Sequence, residues 1–212
     1  LWLFRRSASR SQAWSTFVRN HAREVLACDF FVTVTATFRI LYVFVILDVR
    51  TRRIVHWNAT EHPTGEWSMQ QFRSCVSGDG LHRFVIHDRD SIFSAAVDRG
   101  LSAMGLRVLK TPASTPQANA FCERLIGTMR RECLDFVIVL NEQHLRRILG
   151  EWVNHYNHAR PHASLAPGVP DPLRHSAIAK CTGRTIRAGY RVTARAVLGG
   201  LHHEYGLEPV AA

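Results

Sequence analysis

The chain has 212 residues, of which 46% are hydrophobic and 21% charged, a composition typical of globular proteins. This length suffices for one sizeable domain with appendages or for two small domains. Lys and Arg number 27 against 17 Asp and Glu, and the resulting formal net charge of +10 favours a polyanionic partner. The five cysteines form no CxxC pair, which argues against a zinc knuckle or a disulfide framework and favours a reducing compartment. The longest apolar run, about residues 40–49, is too short to span a bilayer.

β-Branched and aromatic residues predict three strands near the start of the chain. They are EVLACDFFVTVTA (24–36), RILYVFVILDV (39–49) and RRIVHWNATEH (52–62). Their short connections predict an antiparallel meander.

The pattern changes after Pro63. It predicts a helix over 65–76, a strand over 82–88, a helix over 91–105, a strand over 106–111, and helices from about 118 to 135 and from about 141 to 156. This order, βββ-α-β-α-β-α-α, predicts an α/β domain in which helices lie beside a mixed sheet.

Three acidic residues stand out by their positions. Asp29 lies inside an apolar strand, where a carboxylate is costly unless it is paired or bound to a cation. Asp88 lies at the carboxyl end of the fourth strand, where α/β sheets usually place their sites, and Glu123 opens the helix after the fifth strand. Three carboxylates can hold two divalent cations, and Mg²⁺ prefers such oxygen ligands. Singly, each has an ordinary interpretation: Asp29 would be a buried aspartate that caps a turn, Asp88 or its neighbour Asp90 would cap the next helix, and Glu123 would be a solvated helix glutamate.

The helix that begins near residue 118 carries a second pattern. Arg130 follows Glu123 by seven residues and so lies on nearly the same stripe, with Gly127 between them as a bare patch. This face predicts a path for a DNA strand, flanked by Arg124 and Arg131. The alternative is a set of surface ion pairs, which contribute little to stability.

Four segments taken together resemble the DDE integrase core of insertion-sequence transposases and retroviral-type integrases. They are ACDFF (27–31), HDRDSIF (87–93), TPQANAFCERLIGTMRRECLD (115–135) and HYNHARPHASL (155–165). The resemblance covers about residues 24–170 and is closest to bacterial insertion-sequence transposases. It implies a ribonuclease-H-like fold with a mixed five-stranded sheet. It also implies that Asp29, Asp88 and Glu123 are a catalytic triad that binds two Mg²⁺ (or Mn²⁺) ions.

The same resemblance implies further DNA contacts. With the arginines of the helix, the predicted DNA-binding residues are Asn119, Arg124, Arg130, Arg131, Tyr156, Asn157, Arg160 and His162. For the motif after the last helix, a turn held by local hydrogen bonds is an equal alternative. Many relatives have Gly where this chain has Asp90, so Asp90 stays a rival of Asp88 as a metal ligand, although the alignment favours Asp88.

The resemblance predicts a polynucleotidyl transferase that cleaves element ends and joins them to target DNA. Its expected partners are duplex DNA and further copies of the chain in a synaptic complex, in the cytoplasm at the nucleoid. The alternatives are a nuclease of the same fold without joining activity and a non-catalytic DNA-binding remnant of an inactive element. We expect residues 1–23 to be an arm or linker after an upstream DNA-binding region, residues 24–170 the core, and residues 171–212 an extension with a possible small hairpin.

Overall fold

The computed structural model describes residue 14 and residues 16–76, 81–110, 119–166, 168–172, 186 and 188–210. Residues 111–118, between the fifth predicted strand and the next predicted helix, lie outside these residues, as do most of the predicted N-terminal arm and residues 173–185 of the tail. The chain divides into two compact units, one up to Arg146 and one from Arg147 onward. No helix in the described part is long and apolar enough to cross a membrane.

A five-stranded sheet forms the centre of the first unit. Its strands are β1 (Val25–Val34), β2 (Ile40–Asp48), β3 (Ile54–Thr60), β4 (Phe84–His87) and β5 (Arg107–Lys110). They lie in the order β3-β2-β1-β4-β5, with the β1–β2 and β2–β3 pairs antiparallel and the β1–β4 and β4–β5 pairs parallel. The predicted mixed sheet, with its first three strands antiparallel, is confirmed.

All four predicted helices are present. They are α1 (Gly65–Cys75), α2 (Ala95–Ala103), α3 (Ala120–Glu132) and α4 (Glu142–His158). Helix α2 begins four residues later than predicted because a turn precedes it. In that turn the backbone amide of Phe93 donates to the Asp90 carbonyl at 3.0 Å, and the amide of Ile92 donates to the Asp90 side chain at 3.1 Å.

Residues of the strands alternate between the two faces of the sheet. Leu26 and Cys28 of β1 and Val85 of β4 pack in a buried cluster with Phe72 of α1 and Val97 of α2. Helix α3 lies on the other face, where it contacts β1 and β2. Its own buried side chains are Cys122, Leu125 and Met129. Because Asp29 follows Cys28, its side chain points to the α3 face.

The second unit contains the end of α4 and a hairpin of β6 (Tyr190–Val197) and β7 (His202–Pro209), which pair antiparallel. His155 of α4 lies with Nδ1 3.0 Å from Glu204 Oε1, and its ring stacks on that of His202 with centroids 5.0 Å apart. Glu151 accepts a hydrogen bond from the backbone amide of Leu198. These contacts hold the hairpin on the helix within this unit.

Candidate active site

The register of the sheet brings Asp29 and Asp88 to the same end of the β1–β4 ladder. The parallel ladder between β1 and β4 pairs Ala27 with Ile86. Asp29 and Asp88 each follow two residues later, Asp29 within β1 and Asp88 just past the end of β4, so both lie beyond the same end of the paired segment. Both side chains share the face of Ala27 and Ile86, since side chains two apart point the same way. Neighbouring strands lie about 4.8 Å apart, so the fold brings together two carboxylates that are distant in sequence.

The pKa of Asp29 reflects its burial and the nearby carboxylates. The pKa of Asp29 rises from 3.8 to about 7, first because the carboxyl is buried and next because of the charge of Asp88. The hydrogen bond from the Phe30 amide opposes the rise, and the charges of Glu123 and then Asp90 add to it. Since Coulomb interactions weaken with distance, the larger effect of Asp88 than of Asp90 indicates that Asp88 is the aspartate that faces Asp29.

The side chain of Asp90 makes hydrogen bonds within its own turn. Its Oδ1 accepts hydrogen bonds from Ser91 Oγ at 3.2 Å and from the Ile92 amide at 3.1 Å, which shapes the turn before α2. The amide of Asp90 in turn donates to Asp88 Oδ1 at 3.0 Å, which orients the Asp88 side chain. These contacts favour Asp88 over Asp90 as the candidate ligand.

Helix α3 presents Glu123 from its first turn. Glu123 is exposed, while its neighbours Cys122 and Leu125 are buried and fix the rotation of the helix. Burial and the nearby carboxylates raise the pKa of the Cys122 thiol well above its usual value, so this cysteine packs as a neutral group. The effect of Glu123 on the pKa of Asp29 places its charge within electrostatic reach of the two aspartates.

Asn119 links the start of α3 to β1. It stands at the N-cap position, but its side chain makes no cap hydrogen bond. Instead Nδ2 donates to the Cys28 carbonyl at 3.1 Å and to Asp29 Oδ2 at 3.2 Å. Asn119 is only 4% exposed, and its Oδ1 is buried with no hydrogen-bond partner in the described part of the chain. Sequence reasoning assigned Asn119 to DNA; the structure places it against the Asp29 carboxylate.

The edge of β1 toward β4 has no described strand partner beyond Ala27. Backbone groups on such an edge need partners when they are buried. Here side chains supply them: Asn119 donates to the Cys28 carbonyl, and Asp29 Oδ1 accepts from the Phe30 amide at 2.8 Å. The residues of the site therefore also complete the strand edge.

Arg130 of α3 bonds a further backbone carbonyl on the same edge of β1. Its Nη2 donates to the Val32 carbonyl at 2.9 Å, and its guanidinium lies over the Phe31 ring at 5.3 Å. The bare patch predicted at Gly127 is wrong. A Cβ at that position would lie 3.0 Å from Arg131 Nη1, so the arginine side chain already covers the space.

The motif after α4 lies in the second unit. Tyr156, Asn157 and His162 are each less than 9% exposed. The Tyr156 ring meets that of His162 edge to face at 4.6 Å, and the Asn157 carbonyl accepts from the Asp171 amide at 2.8 Å. Arg160, half-buried, lies over the Tyr156 ring at 5.8 Å. Burial of the first three favours the alternative of a turn held by local contacts.

The carboxylates fit a divalent cation in chemistry and charge. Oxygen donors suit Mg²⁺, and the pKa of Asp29 is raised by burial and then by the charges of Asp88, Glu123 and Asp90, repulsion that a bound cation would relieve. Among the described residues, however, no three His, Cys, Asp or Glu side chains stand close enough together to form a ready metal site. Asp88 and, less strongly, Glu123 of α3 both contribute to the raised pKa of Asp29.

Sequence comparison identifies the core. Residues 104–170 match the integrase core domain family. This match confirms the resemblance to an integrase core over these residues. The chain is also 26% identical, over 143 residues, to an uncharacterized 31.7 kDa protein of insertion element IS407 from Burkholderia multivorans, a match that covers 67% of this chain and 52% of that protein. The chain thus spans about half the length of this relative.

Solved structures show the same fold at low sequence identity. The catalytic domain of the Mos1 mariner transposase matches with a TM-score of 0.56 and 15% identity, over 69% of this chain and 79% of that one. The catalytic core domain of HTLV-2 integrase, solved in complex with magnesium, matches with a TM-score of 0.56 and 10% identity, over 70% and 93% of the two chains. The sheet and its flanking helices therefore have the ribonuclease-H-like fold that the sequence resemblance implies.

Proposed function

We propose that this integrase core cleaves phosphodiesters at the ends of a bacterial insertion element and transfers the freed 3′ ends into target DNA. The observation that carries the proposal is the placement of Asp29 on β1 and of Asp88 just past the end of β4, each two residues beyond the paired Ala27 and Ile86, with Glu123 contributing to the raised pKa of Asp29. Three carboxylates of this kind, in a chain with a net charge of +10, suit a polyanionic substrate handled through cations. The similarity to an insertion-element protein supports the choice of substrate.

Asp29, Asp88 and Glu123 would hold two divalent cations, Mg²⁺ or Mn²⁺. When bound, such ions activate an attacking oxygen and stabilise the leaving oxygen of an in-line displacement. In the cleavage step a water oxygen attacks phosphorus and a 3′-oxygen leaves; in the joining step that 3′-hydroxyl attacks a target phosphodiester and another 3′-oxygen leaves. Asp29 takes part as the carboxylate, so its proton must be lost before the site can bind a cation.

The protein's own part is to hold the three carboxylates and the DNA backbone. Asn119 and the Phe30 amide fix both oxygens of Asp29. Arg124 and Arg131 are exposed on α3 and are available to phosphates, for which guanidinium groups are well suited. Arg130 lies beside them with one nitrogen already bonded to β1. Duplex DNA is the proposed partner, with further copies of the chain in the synapse.

The test uses labelled duplexes that carry the terminal repeats of the element, incubated with Mg²⁺ or Mn²⁺. Cleaved and joined products are expected, and both should disappear in Glu123→Gln. Glu142→Gln is the matched control, because Glu142 also lies in the first turn of a helix but pairs with Arg146. Cleavage without joining would identify a nuclease instead. Binding without either product, unchanged by Glu123→Gln, would identify a non-catalytic DNA-binding protein.

A further inference from the structure

A buried histidine connects Asp88 to the opposite face of the sheet. His87 is 0% exposed. Alternation along β4 places its side chain with that of Val85, toward α1 and α2, while the Asp88 side chain faces α3. The His87 ring stacks on Phe93 with centroids 4.4 Å apart and an interplanar angle of 23°. Its position is therefore set by packing and is independent of the solvent-facing part of the site.

Both ring nitrogens of His87 have partners. Nδ1 lies 2.6 Å from the main-chain carbonyl oxygen of Asp88, and since a carbonyl only accepts, the ring donates here. Nε2 lies 3.0 Å from Asp98 Oδ1 on α2. The other carboxylate oxygen of Asp98 lies 2.6 Å from Lys110 Nζ on β5. A continuous series of polar contacts thus runs from the backbone of Asp88 to two neighbouring elements.

Asp88 needs such support because it lies just past the end of its strand. The parallel ladder between β4 and β5 ends at the pair of His87 and Lys110. The Asp88 carboxylate is oriented by the amide of Asp90, but that amide belongs to the same exposed turn. Only the contact from His87 ties the described backbone of Asp88 to a fully buried side chain.

We propose that His87 is a positioning residue for Asp88, which it holds for cation binding by fixing the Asp88 carbonyl from the far side of the sheet. Asp98 and Lys110 keep the imidazole ring in place. This role rests on the proposed function, since it matters only if Asp88 is a metal ligand. Groups that orient a ligand from behind usually change metal affinity by about 10–100-fold when they are replaced.

Two substitutions at position 87 separate positioning from packing. Both remove the ring that stacks on Phe93. His87→Asn places an amide nitrogen near the position of Nδ1 and can keep the contact with the Asp88 carbonyl. His87→Gln reaches instead to the position of Nε2 and can keep the contact with Asp98. The same pair at His56 is the control, because His56 lies on β3, at the other side of the sheet, and bonds Gln71 at 3.0 Å.

The assay titrates Mn²⁺ alone into the full chain and measures free Mn²⁺ by electron paramagnetic resonance, beside chemical denaturation of each variant. His87→Gln is expected to weaken Mn²⁺ binding by about tenfold or more, and His87→Asn by clearly less. His87→Gln is nevertheless expected to be the more stable of the two variants, since glutamine fills more of the buried space. The His56 pair should leave Mn²⁺ affinity unchanged.

The outcomes are distinct. Mn²⁺ affinity of His87→Gln equal to that of the wild type, or affinities that simply follow stability, would overturn the positioning role and leave the metal site intact. If the wild type binds no Mn²⁺, or if Asp88→Asn leaves its Mn²⁺ binding unchanged, the metal site is overturned and this inference with it. If neither His87 variant folds, Lys110→Gln probes the series from its exposed end. A smaller loss of Mn²⁺ affinity is then expected, and an unchanged affinity contradicts the inference.

Discussion

The raised pKa of Asp29 predicts that Asp29→Asn, a conservative substitution, stabilises the folded protein near neutral pH. Burial and the charge of Asp88 raise this pKa from 3.8 to about 7, so the folded protein binds a proton more tightly than the unfolded chain does. The stability from this group is fully present below pH 3.8 and is lost as the pH rises to about 7. Each pH unit in this window costs about 1.4 kcal/mol, which amounts to about 4 kcal/mol in total. Asp29→Asn removes the titrating group and therefore this loss.

The measurement is chemical denaturation of the wild type and of Asp29→Asn between pH 4 and pH 8, with a chelator present. The free energy of unfolding of the variant, relative to the wild type, should rise by about 4 kcal/mol across this range. Any hydrogen bond that the amide loses shifts the whole curve and leaves its slope unchanged. Near neutral pH the Asp29→Asn variant is thus expected to be the more stable protein.

Asp48 supplies a control of opposite sign. It is also partly buried, which alone would raise its pKa, but hydrogen bonds from His82 and Thr51 lower it below 3.8. Its stabilisation is present above pH 3.8 and is lost as the pH falls, so Asp48→Asn should cost more stability at pH 7 than at pH 3. Parallel curves for Asp29→Asn and the wild type from pH 4 to pH 8 would refute the reasoning, because they would mean that Asp29 is neither desolvated nor crowded by charge.

Three further outcomes are expected. Mn²⁺ affinity should increase from pH 6 to pH 8 in titrations, since Asp29 must lose its proton to bind a cation; a flat profile would exclude it as a ligand. Asn119→Ala should cost about 1–3 kcal/mol in denaturation experiments, because the buried carbonyl of Cys28 loses its donor; a smaller cost would mean that water replaces the amide. Arg130→Ala should cost about 1–2 kcal/mol, since a strand carbonyl and an aromatic ring lose their partner, whereas the exposed Arg131→Ala should change stability by less than about 0.5 kcal/mol. Equal effects of the two arginine variants would contradict the edge contact.

The elements of this fold were predictable because their signals are local. Alternating and continuous apolar runs marked the strands, and apolar residues at helical spacing, with the signals at helix ends, marked the helices. The pairing of Asp29 with Asp88 needed more, namely that the fourth strand lies parallel to the first. That information came from the resemblance of several segments in order, since no single segment fixes which strands are neighbours.

The roles of the side chains around the site were less accessible. Sequence reasoning placed Gly127 as an open patch, because helix geometry gives the stripe of a residue but not the conformation of a long neighbour such as Arg131. It likewise treated Arg130 as a DNA contact without an alternative partner on β1. His87 carried no signal of its own, because a histidine at the end of an apolar strand has many ordinary uses.

Several local rules are broken at one place, and each exception involves the site. A carboxylate lies inside β1, the asparagine at the N-cap of α3 makes no side-chain cap hydrogen bond, and the β1 edge lacks a described strand partner beyond Ala27. Asn119 relates all three. Its side chain does not cap the helix but donates to the Cys28 carbonyl on the strand edge and to the carboxylate of Asp29. Such departures from local preference are expected where function sets the constraint. Because the β1 edge has no described strand partner there, helix α3 with Glu123 can lie beside Asp29. The backbone groups of this edge, the Cys28 carbonyl and the Phe30 amide, are bonded by Asn119 and Asp29.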